Sequence, residues 1–129
     1  MSDLHSKYYN LNAFDSPDLP NSYINMNQKV IDVLDNLTEL SGIHFMVNSG
    51  YRTLEHNMLV GGIVNSEHTK GNAIDIHVSD AATRYIVIKN LLLLNVSRIG
   101  VYNLFIHFDV SSVKPQNVIW HSLSGFQYA

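Results

Sequence analysis

Seven histidines stand in a chain of 129 residues that has no cysteine. Any transition-metal site must therefore be built from imidazole and carboxylate groups, with no thiolate available. One stretch brings both types together. In Ser66-Glu67-His68-Thr69-Lys70-Gly71-Asn72-Ala73-Ile74-Asp75 a histidine and an aspartate flank a glycine, and Gly71 lets the chain reverse so that His68 and Asp75 can converge on one ion. Further along, Phe105-Ile106-His107-Phe108-Asp109 alternates apolar and ionisable residues. In a strand this puts His107 and Asp109 on one face and Ile106 and Phe108 on the other. Residues 72–78 alternate in the same way, with Ala73, Asp75 and His77 opposite Ile74, Ile76 and Val78. If the two strands are neighbours, four ionisable groups line one patch. Two neutral imidazoles and one carboxylate make a normal catalytic zinc set with a position left open for water. Each piece alone is ordinary, since a single histidine in a strand is usually a hydrogen-bonded structural residue. The combination is what points to a metal.

These residues need elements to position them. Apolar residues recur at helical spacing over 27–40 (Val30, Ile31, Leu34, Leu37, Leu40), and Gly42 stands where a left-handed cap is wanted. Residues 43–48 read as a short strand closed by the Ser49-Gly50 turn. Thr53 can cap a short helix reaching Val60, ended by Gly61-Gly62, and Ser79 or Asp80 can cap a second long helix to about Leu94. Residues 98–101 and 105–110 are strand candidates joined by a tight turn at Tyr102-Asn103, with a last strand over 118–121. The expectation is an α+β fold: a small, mainly antiparallel sheet packed with two longer helices and one short one. Residues 1–24, rich in Asn, Asp, Ser and Pro from Tyr8 onwards, read as an extended segment packed on a single domain spanning 25–129.

Composition narrows the function. The formal charge is −3 and no Lys/Arg cluster is present, which argues against a nucleic-acid surface built on phosphate neutralisation. At 46% hydrophobic and 15% charged residues, the chain is suited to a packed core and not to disorder. No export or membrane-spanning segment is visible, because the longest apolar run, residues 86–94, is interrupted by Lys89 and Asn90.

Four ordered motifs carry a resemblance. Ser49-Gly50-Tyr51-Arg52-Thr53, then residues 60–68 (Val-Gly-Gly-Ile-Val-Asn-Ser-Glu-His), then Gly71-Asn72-Ala73-Ile74-Asp75, then Phe105-Ile106-His107-Phe108-Asp109 resemble peptidase family M15. These are zinc peptidases of the D-alanyl-D-alanine carboxypeptidase type, and the likeness is greatest to the short single-domain members of small bacteriophages. The match runs from Phe14 to Trp120. It implies a hedgehog/D,D-peptidase-like fold in which His68, Asp75 and His107 hold one zinc ion. It also implies that Arg52 reaches the substrate's terminal carboxylate or backbone carbonyl, and that Ser66 hydrogen-bonds near the metal or substrate. A guanidinium suits the first task because its planar donors match two carboxylate oxygens.

The resemblance is broken at one place. Many members carry a carboxylate a few residues before the last metal histidine, as general base, whereas here that stretch is Val101-Tyr102-Asn103-Leu104-Phe105-Ile106. Asp109, His77 and Glu67 each lie within two residues of a proposed ligand. Asp109 is ranked first as the base, with orientation of a ligand imidazole as its other reading, and His77 is a candidate for such support. His121 follows Trp120 as in relatives ending Glu-x-x-Trp-His, but no glutamate precedes it in residues 114–119, so His107 is preferred as third ligand. His5, His44 and His56 have no comparable context.

The expected activity is hydrolysis of peptidoglycan stem peptides, as a D,D-carboxypeptidase or an L-Ala-D-Glu-type endopeptidase. The protein would reach the wall by host lysis or as part of a virion. The rival expectations are a metal-containing binding module without turnover and a virion structural component.

Overall fold

The computed structural model describes residues 3–124, so the outer ends of the two expected segments, residues 1–2 and 125–129, lie outside it. Three α-helices and five strands follow one another as α1 (Gln28–Ser41), β1 (Val47–Ser49), α2 (Leu54–Leu59), β2 (Ala73–His77), α3 (Ala81–Leu93), β3 (Arg98–Tyr102), β4 (Phe105–Asp109) and β5 (Val118–Ser122). The helix boundaries follow local chemistry. Asn27 caps α1 by accepting from Lys29 N, and Gly42 ends it at φ 71°. Thr53 caps α2 by accepting from His56 N, and Asp80 caps α3 by accepting from Thr83 N.

The five strands form one sheet in the order β1-β2-β4-β3-β5. Pairs β1/β2, β2/β4 and β3/β4 are antiparallel. β5 is the exception in this mainly antiparallel sheet and runs parallel to β3. The reason is geometric. β4 ends beside the start of β3, where Asp109 pairs with Arg98, and residues 110–117 need only step across to place Val118 beside the same Arg98. No helical crossover is required. The first strand is also shorter than the expected 43–48, because Phe45 N donates to the Tyr9 hydroxyl (3.0 Å) instead of to a strand.

One face of the sheet carries Ile74, Ile76, Ile99, Ile106 and Phe108, all fully buried against a core completed by Val30, Ile31, Leu34 and Leu37 of α1 and Val87 and Leu91 of α3. Alternation sends the other residues of each strand to the opposite face. Two short 3-10 turns, Leu11–Phe14 and Ser22–Asn25, occupy the segment expected to be extended. They insert Phe14 completely into the core. No helix among the described residues is long and apolar enough to cross a membrane.

Candidate metal centre

The open face of the sheet is organised in rows across the strands. The middle row comprises Asp75 on β2, His107 on β4, Gly100 on β3 and Trp120 on β5, each paired in register with the next. His68 joins Asp75 and His107 from above. It sits in a 3-10 turn, Glu67–Lys70, that Ser66 caps by accepting from His68 N and that Gly71 ends at φ 72°. One ligand atom from each of His68, Asp75 and His107 lies within 4.8 Å of the others, making a group that could hold a metal ion.

Both imidazoles are pinned from behind. His68 Nδ1 donates to the Gly50 carbonyl (2.7 Å), which leaves Nε2 facing Asp75 Oδ1 at 3.1 Å. His107 Nε2 contacts Asp109 Oδ2 and its Nδ1 contacts Asp75 Oδ1, both at 2.8 Å. Fixing the outer nitrogen of each ring with a carbonyl or carboxylate turns the inner nitrogen toward Asp75, where a metal ion could be held. Two such nitrogens and one carboxylate oxygen are a donor set that zinc accepts. The residues present therefore fit the group.

Electrostatics bind the cluster together. Burial by itself would raise the Asp75 carboxyl, but hydrogen bonds from His107 and His68 outweigh it and hold Asp75 far below the usual carboxylate range. Burial would likewise lower His107, yet the hydrogen bonds to Asp109 and Asp75 and their charges push it up to about 9. Burial opposes ionisation of Asp109 too, and it is overcome by His107, the Ser111 N–H and Arg98. Without a metal the His107 ring is thus an imidazolium clasped by two carboxylates.

The expectation that Asp109 accepts the catalytic proton meets a carboxylate already engaged at both oxygens. Oδ2 holds His107, while Oδ1 accepts from Arg98 Nε (2.8 Å) and Ser111 N (3.1 Å). It lies on the far nitrogen of His107 from the metal group, where it orients that ring. Glu67 is buried, accepts from Asn72 Nδ2 (3.0 Å) and lies 3.2 Å from Lys114 Nζ, ion-paired at the cleft wall. His77 is exposed at the end of β2, opposite Phe105 and outside the ligand group. His121 is exposed on β5, one residue out of phase with Trp120, and His5 and His44 are exposed elsewhere. His56 lies partly buried on α2.

Arg52 lines the cleft. Its Nε donates to Ser49 Oγ (3.1 Å) and one terminal nitrogen to Asn57 Oδ1 (3.1 Å), and the other lies 3.4 Å from Asp75 Oδ2. Asn57 was not anticipated from the sequence. It is 2% exposed and donates to the Ile63 carbonyl (2.8 Å), so it ties Arg52 to the loop that forms the cleft rim. Trp120 was also missed. Its ring centroid is 5.5 Å from that of His107, and its Nε1 donates to Tyr102 Oη (2.9 Å). Arg98 lies 5.0 Å beneath it. The signal available in the sequence was Gly100. A glycine inside a strand marks close approach, and a Cβ there would come within 2.6–2.8 Å of the Trp120 indole.

A cleft of about 520 Å³ opens over these residues, lined also by Val60, Gly62 and Ile63 and by Tyr102, Phe105 and Trp120. An α+β domain with a His/Asp/His group on the open face of its sheet, inside a cleft large enough for a peptide, has the layout of a metallohydrolase. The chain belongs to the peptidase M15 family, whose family model, described as Peptidase M15, matches residues 8–109. The match includes all three residues of the group and reaches back into the N-terminal 3-10 turns. Searches of curated proteins and of solved structures return no match. Family membership makes the chain a metallopeptidase-type hydrolase, and the peptidases of this family are zinc-dependent.

Proposed function

We propose that the chain is a zinc-dependent peptidase that hydrolyses peptidoglycan stem peptides, as a D,D-carboxypeptidase or an L-Ala-D-Glu-type endopeptidase. The observation that carries this reading is the group His68, Asp75 and His107, with the outer nitrogen of each imidazole already fixed. These three residues would hold the ion, which when bound supplies Lewis-acid polarisation of a carbonyl and lowers the pKa of water. Arg52 would orient the substrate. A guanidinium has five N–H donors and three are used by Ser49, Asn57 and Asp75, leaving two for a substrate oxygen. Asp109 and the Gly50 carbonyl hold the two rings by hydrogen bonds, and Val60 and Ile63 line the cleft beside them.

A second reading is a metal-containing module that binds cell-wall peptide without cutting it. The observation in its favour is that Asp109 and Glu67 are both ion-paired while His77 lies outside the group. Mass spectrometry of purified muropeptides incubated with the zinc-loaded protein separates the two. The peptidase reading expects a defined cleavage product that disappears with a chelator and in His68→Ala. Full hydrolysis after complete zinc removal would sink it, and binding without product would establish the module.

A further inference from the structure

The row of the open sheet face next to the metal row is aromatic. His77 on β2 pairs in register with Phe105 on β4. Phe105 in turn stacks on Tyr102 of β3, with ring centroids 4.4 Å apart and planes 8° from parallel. Tyr102 accepts from Trp120 Nε1, so the stack is joined to the ring that contacts His107. Tyr102, Phe105 and Trp120 all line the cleft and are partly exposed. This row lies two residues along the strands from the metal row, or about 7 Å at a strand's rise per residue.

Stacked flat rings, one of them with a hydroxyl at its edge, left partly exposed beside the metal group, are surfaces for a ligand that is itself flat, apolar on its faces and polar at its rim. A pyranose ring has that character: its axial C–H groups stack on aromatic faces while its hydroxyls remain at the edge. The hydroxyl of Tyr102 supplies a polar partner at that edge, and His77, exposed on the strand opposite Phe105, continues the row. An apolar peptide side chain would need no such rim.

Resting on the peptidase reading above, we propose that the row His77, Phe105, Tyr102 is a saccharide subsite. The cleft then takes a glycopeptide whose sugar is attached about one residue from the bond at the metal group. At about 7 Å the spacing suits a peptide bond next to the sugar-bearing residue, and it excludes a bond at the distal end of a four- or five-residue stem, which would lie well over 10 Å away in extended chain. Between the two activities above, it selects the endopeptidase that cuts near the glycan.

The test compares a disaccharide-pentapeptide, the same pentapeptide without sugar, and the disaccharide alone, using zinc-loaded protein with KM measured by chromatography and Kd by calorimetry. The sugar-bearing peptide should show a KM or Kd lower than the free peptide by roughly tenfold, the scale of one good stacking contact. Tyr102→Ala should bring that ratio close to one. Phe105→Leu, which keeps an apolar side chain on the strand without a flat ring, should do the same, with circular dichroism confirming the fold of each variant. Equal constants for the two peptides, or a ratio unmoved in both variants, overturn the subsite. Tighter binding of the sugar-bearing peptide with no hydrolysis of either keeps the subsite and removes the peptidase reading instead.

Discussion

His107 is the residue on which the chemistry of the centre turns, because its ring is held at both nitrogens by carboxylates. Its pKa is raised from 6.5 to about 9 in the folded protein. A raised histidine contributes stability that is fully present below the unfolded value and is lost as pH rises through the folded one. Protein stripped of metal by chelation should therefore lose melting temperature between about pH 6.5 and 9, as read by differential scanning calorimetry. Zinc must displace the same proton, so its affinity should rise with pH across this window and binding near pH 7 should release about one proton, measurable by calorimetry in buffers of different ionisation enthalpy. Asp109 holds this ring through its Nε2. Asp109→Asn removes the charge while keeping the shape, and zinc affinity should weaken by about 10-fold or more in a chelator competition. An unchanged affinity would show that the ring needs no such partner.

At the scale of elements, the turn between His68 and β2 depends on Gly71. Its φ is 72°, and an added Cβ would come within 1.9 Å of the Asn25 carbonyl oxygen, while its own carbonyl accepts from Asn27 N (2.8 Å). Gly71→Ala should cost at least about 1–2 kcal/mol from the left-handed backbone alone. It should also loosen the contact with the second 3-10 turn, and thermal denaturation should place its melting temperature at least roughly 5 °C below that of the parent. The long helices were legible because propensity, capping and periodicity agree in them: Asn27 and Gly42 bracket α1 as their types demand. The approach of Asp75 to His107 was legible because alternation on β2 and β4 is strict and the strands are neighbours. What the sequence hid was set by contacts distant along the chain. Phe45 N bonds Tyr9, 36 residues away, which shortens β1. The parallel placement of β5 follows from where β4 ends. The ion pair of Asp109 with Arg98 follows from the pairing of β3 with β4, which no local pattern announces.

Across the whole molecule, the N-terminal segment and the centre are one mechanical unit. Phe14 is fully buried, its carbonyl accepts from Tyr51 N (2.9 Å), and its backbone comes within 2.8 Å of where a Cβ of Gly50 would stand. The Gly50 carbonyl in turn holds His68. Phe14→Ala should cost about 3–5 kcal/mol, and because the same contacts aim His68, zinc affinity should fall along with the melting temperature. A variant that lost stability but kept full affinity would separate the two. Trp120, the only tryptophan in the chain, carries one last consequence. Its indole lies against His107, and a neighbouring imidazolium quenches indole emission. Displacing that proton relieves the quench, so the intrinsic fluorescence of the unlabelled protein reads out the state of its own centre, and a simple emission titration can follow metal loading.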